Sequence, residues 1–293
     1  MLSYFQAIIL GLLQGVTELF PISSLGHTVL LPTILGWHSV VQAQQARQSY
    51  YLAFVVGLHV ATALALIIFF RKTWIKIVGG ILNSVKTRKI ETPYQRLGWL
   101  LILGTIPAGL VGLIFEKLFR SLFAHPLAAA IFLMLNGIIL IMGEKMIRNV
   151  KVSASLENNS SSDTVKINLS KMSIKQALFV GSAQILALFA GISRSGVTMV
   201  AGLKTGLDHE EAAQFSFLLA TPIILAAGVY KLPLLFGPAG KNIIGPVVVG
   251  SLVAGVAAYL SVKFLVAYFE DKNLIPFAIY SLIAGALAFI YFV

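Results

Sequence analysis

The sequence predicts an all-α integral membrane protein with an inverted-topology repeat. Each half is predicted to be a re-entrant helical hairpin followed by three transmembrane helices. Hydrophobic residues make up 58% of the 293 residues and charged residues only 11%, whereas a soluble domain is about 25% charged. Six apolar stretches are long enough to cross a bilayer. A polar run at residues 14–28, QGVTELFPISSLGHT (the first tip), returns in altered form at residues 184–198 as QILALFAGISRSGVT (the second tip).

The first re-entrant hairpin is predicted over residues 3–36. Ser3 and Gln6 form a capping-box pattern at its start, and Pro21 and Gly26 interrupt it in the middle. Neither half of this segment has the roughly 20 apolar residues that a membrane span requires. Irregular backbone is tolerated at membrane depth only where it is buried in protein or lines a water-filled cavity. The interrupted middle is therefore predicted to lie inside the protein.

The first repeat is predicted to cover residues 1–147. Its three spans are predicted at residues 51–70, 97–115 and 127–142. Residues 37–50 are predicted to be a polar loop. Residues 71–96 are predicted to be a second loop, with seven basic residues against the single acidic Glu91. The positive-inside rule places this second loop in the cytoplasm.

A cytoplasmic linker at residues 148–172 is predicted to separate the two halves. Its centre, SLENNSSSDT, is polar and low in complexity. The second repeat, residues 173–293, begins with the second hairpin at residues 173–206. Asp208 and Glu211 form another capping-box pattern at the start of the next span. The three spans of this half are predicted at residues 209–232, 244–268 and 274–293.

A gapless overlay of residues 3–36 on residues 173–206 supports the repeat. Ten positions are identical: Ser3/Ser173, Gln6/Gln176, Ala7/Ala177, Gly11/Gly181, Gln14/Gln184, Ile22/Ile192, Ser23/Ser193, Gly26/Gly196, Thr28/Thr198 and Gly36/Gly206. Because the first half has an odd number of spans, the second half enters the bilayer from the opposite side. The two tips are then predicted to meet near the midplane about a pseudo-twofold axis.

Together the two tips carry polar groups that suit phosphate chemistry. The candidates are Gln14, Glu18, Ser23, Ser24 and His27 in the first tip, and Gln184, Ser193, Arg194, Ser195, Gly196 and Thr198 in the second. A buried arginine with hydroxyls and the N–H groups of a glycine-rich helix start is typical of a phosphate site. Glu18, with Gln14 as a neutral oxygen ligand, can hold Mg²⁺ or Ca²⁺ against phosphate oxygens. His27 near Ser24 can act as a general base or acid. These groups suit phosphoryl transfer.

Structural roles are open alternatives for the same residues. Glu18 and Arg194 could form only an ion pair that joins the halves, and His27 could bond only a backbone carbonyl. Any one hydroxyl could bond the preceding helical turn. His59 and Asn136, which lie in spans, are interpreted as packing residues with satisfied hydrogen bonds. Inverted repeats with broken helices are also typical of transporters, so a transporter or flippase for a phosphorylated lipid or an anion is the alternative function.

Charge and cysteine content exclude several classes of site and partner. The chain has no cysteine, which excludes disulfides and thiolate metal sites. A net charge of +11 would indicate nucleic acid as a partner of a soluble protein. Here the basic residues collect in the loops between apolar spans, so we expect membrane lipids and no nucleic acid. No basic residue precedes Arg47, so we expect the N-terminus to lie outside the cytoplasm and to carry no cleavable signal peptide.

At the two tips the sequence resembles the undecaprenyl-diphosphate phosphatase family, also called bacitracin-resistance proteins. The likeness is carried by QGVTELFPISSLGH (14–27), AGISRSGVT (190–198), FSFLLA (215–220) and IPFAIY (275–280). It implies a multi-pass phosphoanhydride hydrolase of the bacterial inner membrane that converts undecaprenyl diphosphate to undecaprenyl phosphate and inorganic phosphate. This reaction recycles the lipid carrier of peptidoglycan synthesis and gives tolerance to bacitracin.

The resemblance also implies roles for residues and a divalent cation, Mg²⁺ or Ca²⁺, in a site open to the periplasm. Glu18 would be a metal ligand, with Gln14 where the family often has a glutamate. Ser24 would be a candidate nucleophile, His27 its acid–base partner and Arg194 the phosphate clamp. The replacement of glutamate by Gln14 removes one charge from the metal site. Whether Ser24 or a metal-bound water attacks stays open, as does the oligomeric state, for which a homodimer is one alternative.

Overall fold

The computed structural model describes residues 2–46, 50–116, 118–119, 125–157, 172–231, 233–237 and 243–293. Over these residues it is helical apart from turns, bends and short extended segments. The α-helices are α1 (Tyr4–Thr17), α2 (Ser24–Ile34), α3 (His38–Gln45), α4 (Tyr50–Phe69), α5 (Arg71–Thr87), α6 (Pro93–Ile114), α7 (Pro126–Glu157), α8 (Ile174–Ala183), α9 (Arg194–Lys204), α10 (His209–Lys231), α11 (Pro233–Phe236), α12 (Ile244–Asp271) and α13 (Ile275–Phe292). A 3₁₀ segment, Gln184–Leu188, follows α8 directly.

Six helices in the described part of the chain are long and apolar enough to cross a membrane. They are α4, α6, the Pro126–Met146 part of α7, α10, α12 and α13. The prediction of an all-helical protein with six spans is therefore confirmed, and the protein is a multi-pass membrane protein. The predicted capping box of Asp208 and Glu211 is also formed, with Glu211 N–H donating to Asp208 Oδ1 at 2.8 Å.

Two segments predicted as loops, residues 37–50 and 71–96, contain helices instead. Within the first, α3 buries Val40 and Ala43. Within the second, α5 exposes its basic residues and buries Ile77 and Ser84. Residues 71–96 were assigned to a loop from their number of charges alone. Burial at a helical spacing, with the charges exposed, is typical of an amphipathic helix.

Helix α7 continues beyond its predicted span. The prediction ends the span at residue 142, whereas α7 runs to Glu157. The reason lies in the sequence, because neither proline nor glycine occurs between residues 144 and 157 to end the helix. Residues 158–171, the rest of the predicted linker, lie outside the described part of the chain.

Four short helices carry the tips and are joined in pairs by irregular segments. The pairs are α1 with α2 and α8 with α9, with lengths of 14 and 11, and 10 and 11 residues. None reaches the length of a membrane span. The predicted capping box is present at the start of α1, and its repeat is present at the start of α8. In each box the serine hydroxyl, of Ser3 or Ser173, accepts the backbone N–H of the glutamine three residues later, and the serine's own backbone N–H donates to that glutamine's side-chain oxygen.

The first short helix of each pair packs against a span from the other half of the sequence. Helix α1 lies along α12, and α8 lies along α6. At the first crossing Gly11 faces the backbone of Gly250, and at the second Gly181 faces the backbone of Gly104. A Cβ added at Gly11 or Gly181 would overlap the opposite carbonyl group. Glycine is required at both places because the two backbones approach so closely.

Candidate functional site

The irregular segments of the two tips bring a carboxylate and a guanidinium together in the protein interior. Glu18 follows the last residue of α1 and is 7% exposed. Arg194 is the first residue of α9, and its Nη2 donates to Glu18 Oε1 at 3.0 Å. Buried charges are costly unless they are paired, and the loss of one partner leaves the other uncompensated. This ion pair forms the centre of the candidate site.

The second oxygen of Glu18 lies among three further side chains. Gln14 Nε2 donates to Oε2 at 3.0 Å, and the Ser24 hydroxyl donates to the same oxygen at 2.6 Å. His59 Nε2 lies 3.4 Å from it. Four groups from three segments of the chain therefore converge on one carboxylate.

His59 belongs to α4 and was interpreted from the sequence as a packing residue. Its Nδ1 lies 2.8 Å from the carbonyl oxygen of Val55, one turn earlier, which directs Nε2 towards Glu18. The sequence contained a signal for this contact, because an ionisable side chain inside a membrane span is a candidate functional group by default. The prediction applied that rule to Glu18 and Arg194 and omitted His59, since it lies outside the repeated motif.

His27 occupies a different environment from Ser24. Its Nδ1 lies 2.6 Å from the Ser23 carbonyl oxygen, and its Nε2 lies 2.8 Å from the Tyr280 hydroxyl of α13. The imidazole and the phenol ring also stack, with centroids 5.6 Å apart. The structure thus couples Ser24 with Glu18, and His27 with Tyr280 and a backbone carbonyl.

Hydroxyls of both tips bond the backbone of the opposite tip. Ser23 Oγ accepts the N–H of Gly191 at 3.1 Å and that of Gly26 at 3.3 Å. In return Ser193 and Ser195 donate to the carbonyl oxygen of Phe20, at 3.4 and 3.1 Å. Ser23 has a φ of 69°, a conformation that costs about 1–3 kcal/mol in a residue other than glycine. The bonds between the tips hold it in that conformation.

Asn136 of α7 connects the same two segments. It is fully buried. Its Oδ1 accepts the N–H of Ser193 at 2.9 Å, and its Nδ2 donates to the carbonyl of Pro21 at 2.9 Å and to Ser281 Oγ at 3.2 Å. The interpretation as a satisfied packing residue is confirmed, and the residue supplies hydrogen bonds that both tips require.

A cavity of about 510 Å³ opens beside the ion pair, between α4, α6, the 3₁₀ segment and α10. Its inner end is polar and is formed by Thr17, Glu18, Ser23, Ser24, His59, Gln184, Ser193 and Arg194. Its middle is lined by apolar and small residues. At its outer end Lys231 Nζ pairs with Glu116 Oε1 at 2.5 Å.

Five predicted candidates do not line this cavity: Gln14, His27, Ser195, Gly196 and Thr198. The Gly196 N–H donates to Ser193 Oγ at 3.2 Å. Thr198 Oγ1 donates to the carbonyl of Arg194 at 2.7 Å and lies 2.6 Å from Ser216 Oγ. Thr198 therefore supports Arg194, and Gly196 supports Ser193, from positions that do not line the cavity.

Two equivalent glutamines of the repeat each keep an amide oxygen without a partner. Gln14 Oε1 and Gln184 Oε1 are both buried and accept no hydrogen bond from any residue that the structure describes. Amide and carboxylate oxygens are ligands that Mg²⁺ and Ca²⁺ accept. Within the described residues, no three His, Cys, Asp or Glu side chains are grouped as they would be in a metal site made by the protein alone. Gln14 and Glu18 thus offer oxygen atoms of the kind that these cations accept.

Comparisons with known proteins give one consistent result. Residues 7–287 match the family described as Bacitracin resistance protein BacA. The chain is 50% identical to the undecaprenyl-diphosphatase of Mycolicibacterium paratuberculosis, over 99% of this chain and 97% of that protein. It is 48% identical to undecaprenyl-diphosphatase 2 of Frankia alni, over 99% and 98% of the two chains. It is 45% identical to undecaprenyl-diphosphatase 2 of Burkholderia orbicola, over 97% and 95%.

The variant Asn136→Leu should destabilise the protein. Leucine has nearly the same shape but leaves the Ser193 N–H and the Pro21 carbonyl buried without these partners, at about 1–3 kcal/mol for each group. Thermal unfolding in detergent measures the effect. Thr33→Val is the matched control, since among the described residues the Thr33 hydroxyl bonds only a carbonyl of its own helix, at 3.0 Å. Equal unfolding temperatures for the two variants would show that Asn136 does not hold the tips.

Proposed function

The chain belongs to the bacitracin resistance protein family BacA, and we propose that this membrane enzyme hydrolyses undecaprenyl diphosphate at the Glu18–Arg194 pair. Its relatives over nearly the full length are named undecaprenyl-diphosphatases. The products are undecaprenyl phosphate and inorganic phosphate. The observation that carries the choice of site is a buried carboxylate, hydroxyl and guanidinium in direct contact at the inner end of a cavity.

Arg194 is the proposed phosphate clamp. Its guanidinium lines the cavity and presents planar donors that match the oxygens of a phosphate group. Two helices, α2 and α9, begin at residues that line the cavity, Ser24 and Arg194. Helix N-termini carry partial positive charge and favour anions. The diphosphate therefore meets one full positive charge and two helix starts at the inner end.

Ser24 and Glu18 are the proposed centre of the attack on phosphorus. The Ser24 hydroxyl already donates to Glu18 at 2.6 Å, so the carboxylate is placed to accept the proton as the serine oxygen attacks the terminal phosphorus. The bond from that phosphorus to undecaprenyl phosphate breaks, and water then hydrolyses the phosphoserine to inorganic phosphate and free Ser24. A water molecule held at the same carboxylate is the alternative nucleophile. In either case Glu18 serves as the general base, in a position to remove the proton directly.

His59 is the proposed second proton-handling group. It lines the cavity and contacts the carboxylate oxygen to which Ser24 donates. A protonated imidazole donates from both nitrogens, which would satisfy the Val55 carbonyl and Glu18 together. From this position His59 can give a proton to the leaving phosphate oxygen. His27 is assigned a supporting role, because its ring nitrogens face Ser23 and Tyr280.

A divalent cation, Mg²⁺ or Ca²⁺, is proposed to bind together with the substrate. Glu18 and the unpartnered Oε1 of Gln14 fit its preference for oxygen ligands. Arg194 already offsets the single carboxylate, so the remaining ligands would come from phosphate and water. When bound, the cation would neutralise charge on the phosphate oxygens.

Residues 3–36 and 173–206 are proposed to be re-entrant hairpins of an inverted repeat. The short lengths of α1, α2, α8 and α9 support this, as does the exchanged packing of α1 on α12 and α8 on α6. The basic helix α5 is proposed to lie on the cytoplasmic side of the inner membrane. Helix α6 then ends on the opposite side, so the outer end of the cavity at Glu116 and Lys231 would open to the periplasm.

Purified protein in detergent should release inorganic phosphate from undecaprenyl diphosphate when Mg²⁺ or Ca²⁺ is supplied. EDTA should stop the release, and restored cation should recover it. A phosphate-detection assay measures both. If the folded protein released no phosphate but moved the lipid or an anion across the membrane of proteoliposomes, the transporter alternative would be favoured. Release that EDTA leaves unchanged would contradict the cation requirement alone.

The variants Glu18→Gln and Arg194→Lys should each lower the rate of phosphate release by about 100-fold or more, the usual loss when one preorganised electrostatic group is removed. Both replacements keep nearly the same volume. Glu91→Gln and Arg71→Lys make the same changes at exposed positions and should leave the rate unchanged. Near-normal activity in either site variant, with unfolding temperatures as in the unmodified protein, would contradict the proposed site.

The roles of His27 and His59 can be distinguished by the same substitution at each position. The side-chain amide of asparagine can donate a hydrogen bond in place of Nδ1 of either histidine, but asparagine has no atom that corresponds to Nε2. His59→Asn should lower kcat by about 100-fold or more, within the range for a general acid or base. His27→Asn should keep kcat close to that of the unmodified protein while its unfolding temperature falls. The reverse pattern of kcat values would assign the proton transfer to His27.

A further inference from the structure

The middle of the cavity differs in chemistry from both of its ends. The wall is apolar where α4 contributes Val55 and Val56, the 3₁₀ segment contributes Leu188, and α10 contributes Ile223. At the outer end the charged groups pair with each other, as Lys231 contacts Glu116 and lies over the ring of Tyr230 at 4.6 Å. The polar group of the substrate therefore has its partners at the inner end, and the middle offers only apolar contact.

Helix α6 has two glycines on this wall that helix packing does not require. Among the described residues, a Cβ added at Gly109 would meet only Ile223 at 3.9 Å, and one added at Gly112 would meet only Leu188 at 3.7 Å. These are ordinary contact distances, in contrast to the overlaps at Gly11 and Gly181. A glycine inside a helix costs roughly 1 kcal/mol relative to alanine. No described backbone atom of another segment lies within 4 Å of a Cβ built at either position, and both glycines line the cavity.

The two glycines lie three residues apart, so they share one face of α6. Ala226 and Ala227 of α10 also line the cavity. From Thr105 near the inner end to Leu113 near the end of α6, the wall rises over eight residues, or about 12 Å of helix. Small residues on two facing helices thus keep a long apolar channel open beside the phosphate clamp.

We infer that this channel, opened by Gly109 and Gly112, binds the isoprenyl segment next to the diphosphate. The inference rests on the proposed function, because it takes the diphosphate to lie at Arg194. A branched hydrocarbon chain fits an apolar wall that offers no hydrogen bonds, and it gains from leaving water. The channel then determines which lipid diphosphates bind, while the polar inner end recognises the phosphates of all of them.

The variants Gly112→Leu and Ala227→Leu narrow the channel from opposite helices. Each should raise the KM for undecaprenyl diphosphate by about tenfold or more, because the loss of apolar contact by a few CH₂ groups weakens binding by about that factor. Each should leave the affinity for inorganic diphosphate, measured by calorimetry with Mg²⁺, within about twofold of the unmodified protein. Gly79→Leu is the control, because a Cβ there meets nothing within 4 Å and the residue lies on exposed α5.

The outcomes separate the inference from the proposed function. If folded variants bound both undecaprenyl diphosphate and inorganic diphosphate more weakly, the channel would be a passage for the phosphate group, and the inference would be overturned. An unchanged KM for the lipid would also overturn it. If the unmodified protein released no phosphate, the proposed function itself would fail. Gly112→Ala, whose added methyl group makes only ordinary contact, should fold and raise KM less than leucine does, which tests the dependence on size.

Discussion

The structure depends on hydrogen bonds to backbone that leaves the helical ladder in two places within an apolar protein. Between α1 and α2, and between α8 and α9, free N–H and C=O groups require partners that lipid does not offer. The two tips provide them for each other. Ser23 accepts from the second tip, Ser195 donates to the first, and Asn136 bonds to both. Each tip therefore supplies hydrogen bonds to backbone groups of the other.

This mutual dependence also explains why a buried ion pair can be held open towards a cavity. Attraction between Glu18 and Arg194 alone would have to offset the loss of hydration of both groups, which buried pairs often fail to do. Here the backbone bonds between the tips already fix the two side chains within 3.0 Å. The charges can then be arranged for a ligand, since the fold does not rely on them alone.

The sequence predicted the spans and the capping boxes because these are local properties. Apolar length determines α4, α6 and α10, and the repeat placed Ser3 and Ser173 at equivalent helix starts. Two kinds of feature were missed. Helix α5 was missed because its basic residues were counted as the charges of a loop, and the helical spacing of the residues was not considered. His59 was missed because its contact with Glu18 depends on how α4 packs beside α1, and no motif records that packing.

The partner of Ser24 shows the same limit within the motif itself. Ser24 and His27 are three residues apart, and proximity in sequence favoured them as a pair. Ser24 begins α2, and its hydroxyl meets Glu18 across the break that precedes the helix. His27 lies one turn later and bonds back to Ser23. Sequence spacing places two side chains on one helix face, but the break in the chain decides which groups face that helix.

The cavity joins two surfaces with different requirements, and an amphiphile satisfies both. Binding of a diphosphate at Arg194 takes charge out of water, which is unfavourable unless the inner end supplies matching donors and positive charge. Burial of hydrocarbon along α6 and α10 is favourable and independent of charge. Interactions with a remote, unreactive part of a substrate can contribute to positioning the bond that reacts. In the proposed arrangement the apolar tail would help to hold the phosphate against Glu18 and Ser24, and the lipid part of the substrate would contribute to catalysis as well as to recognition.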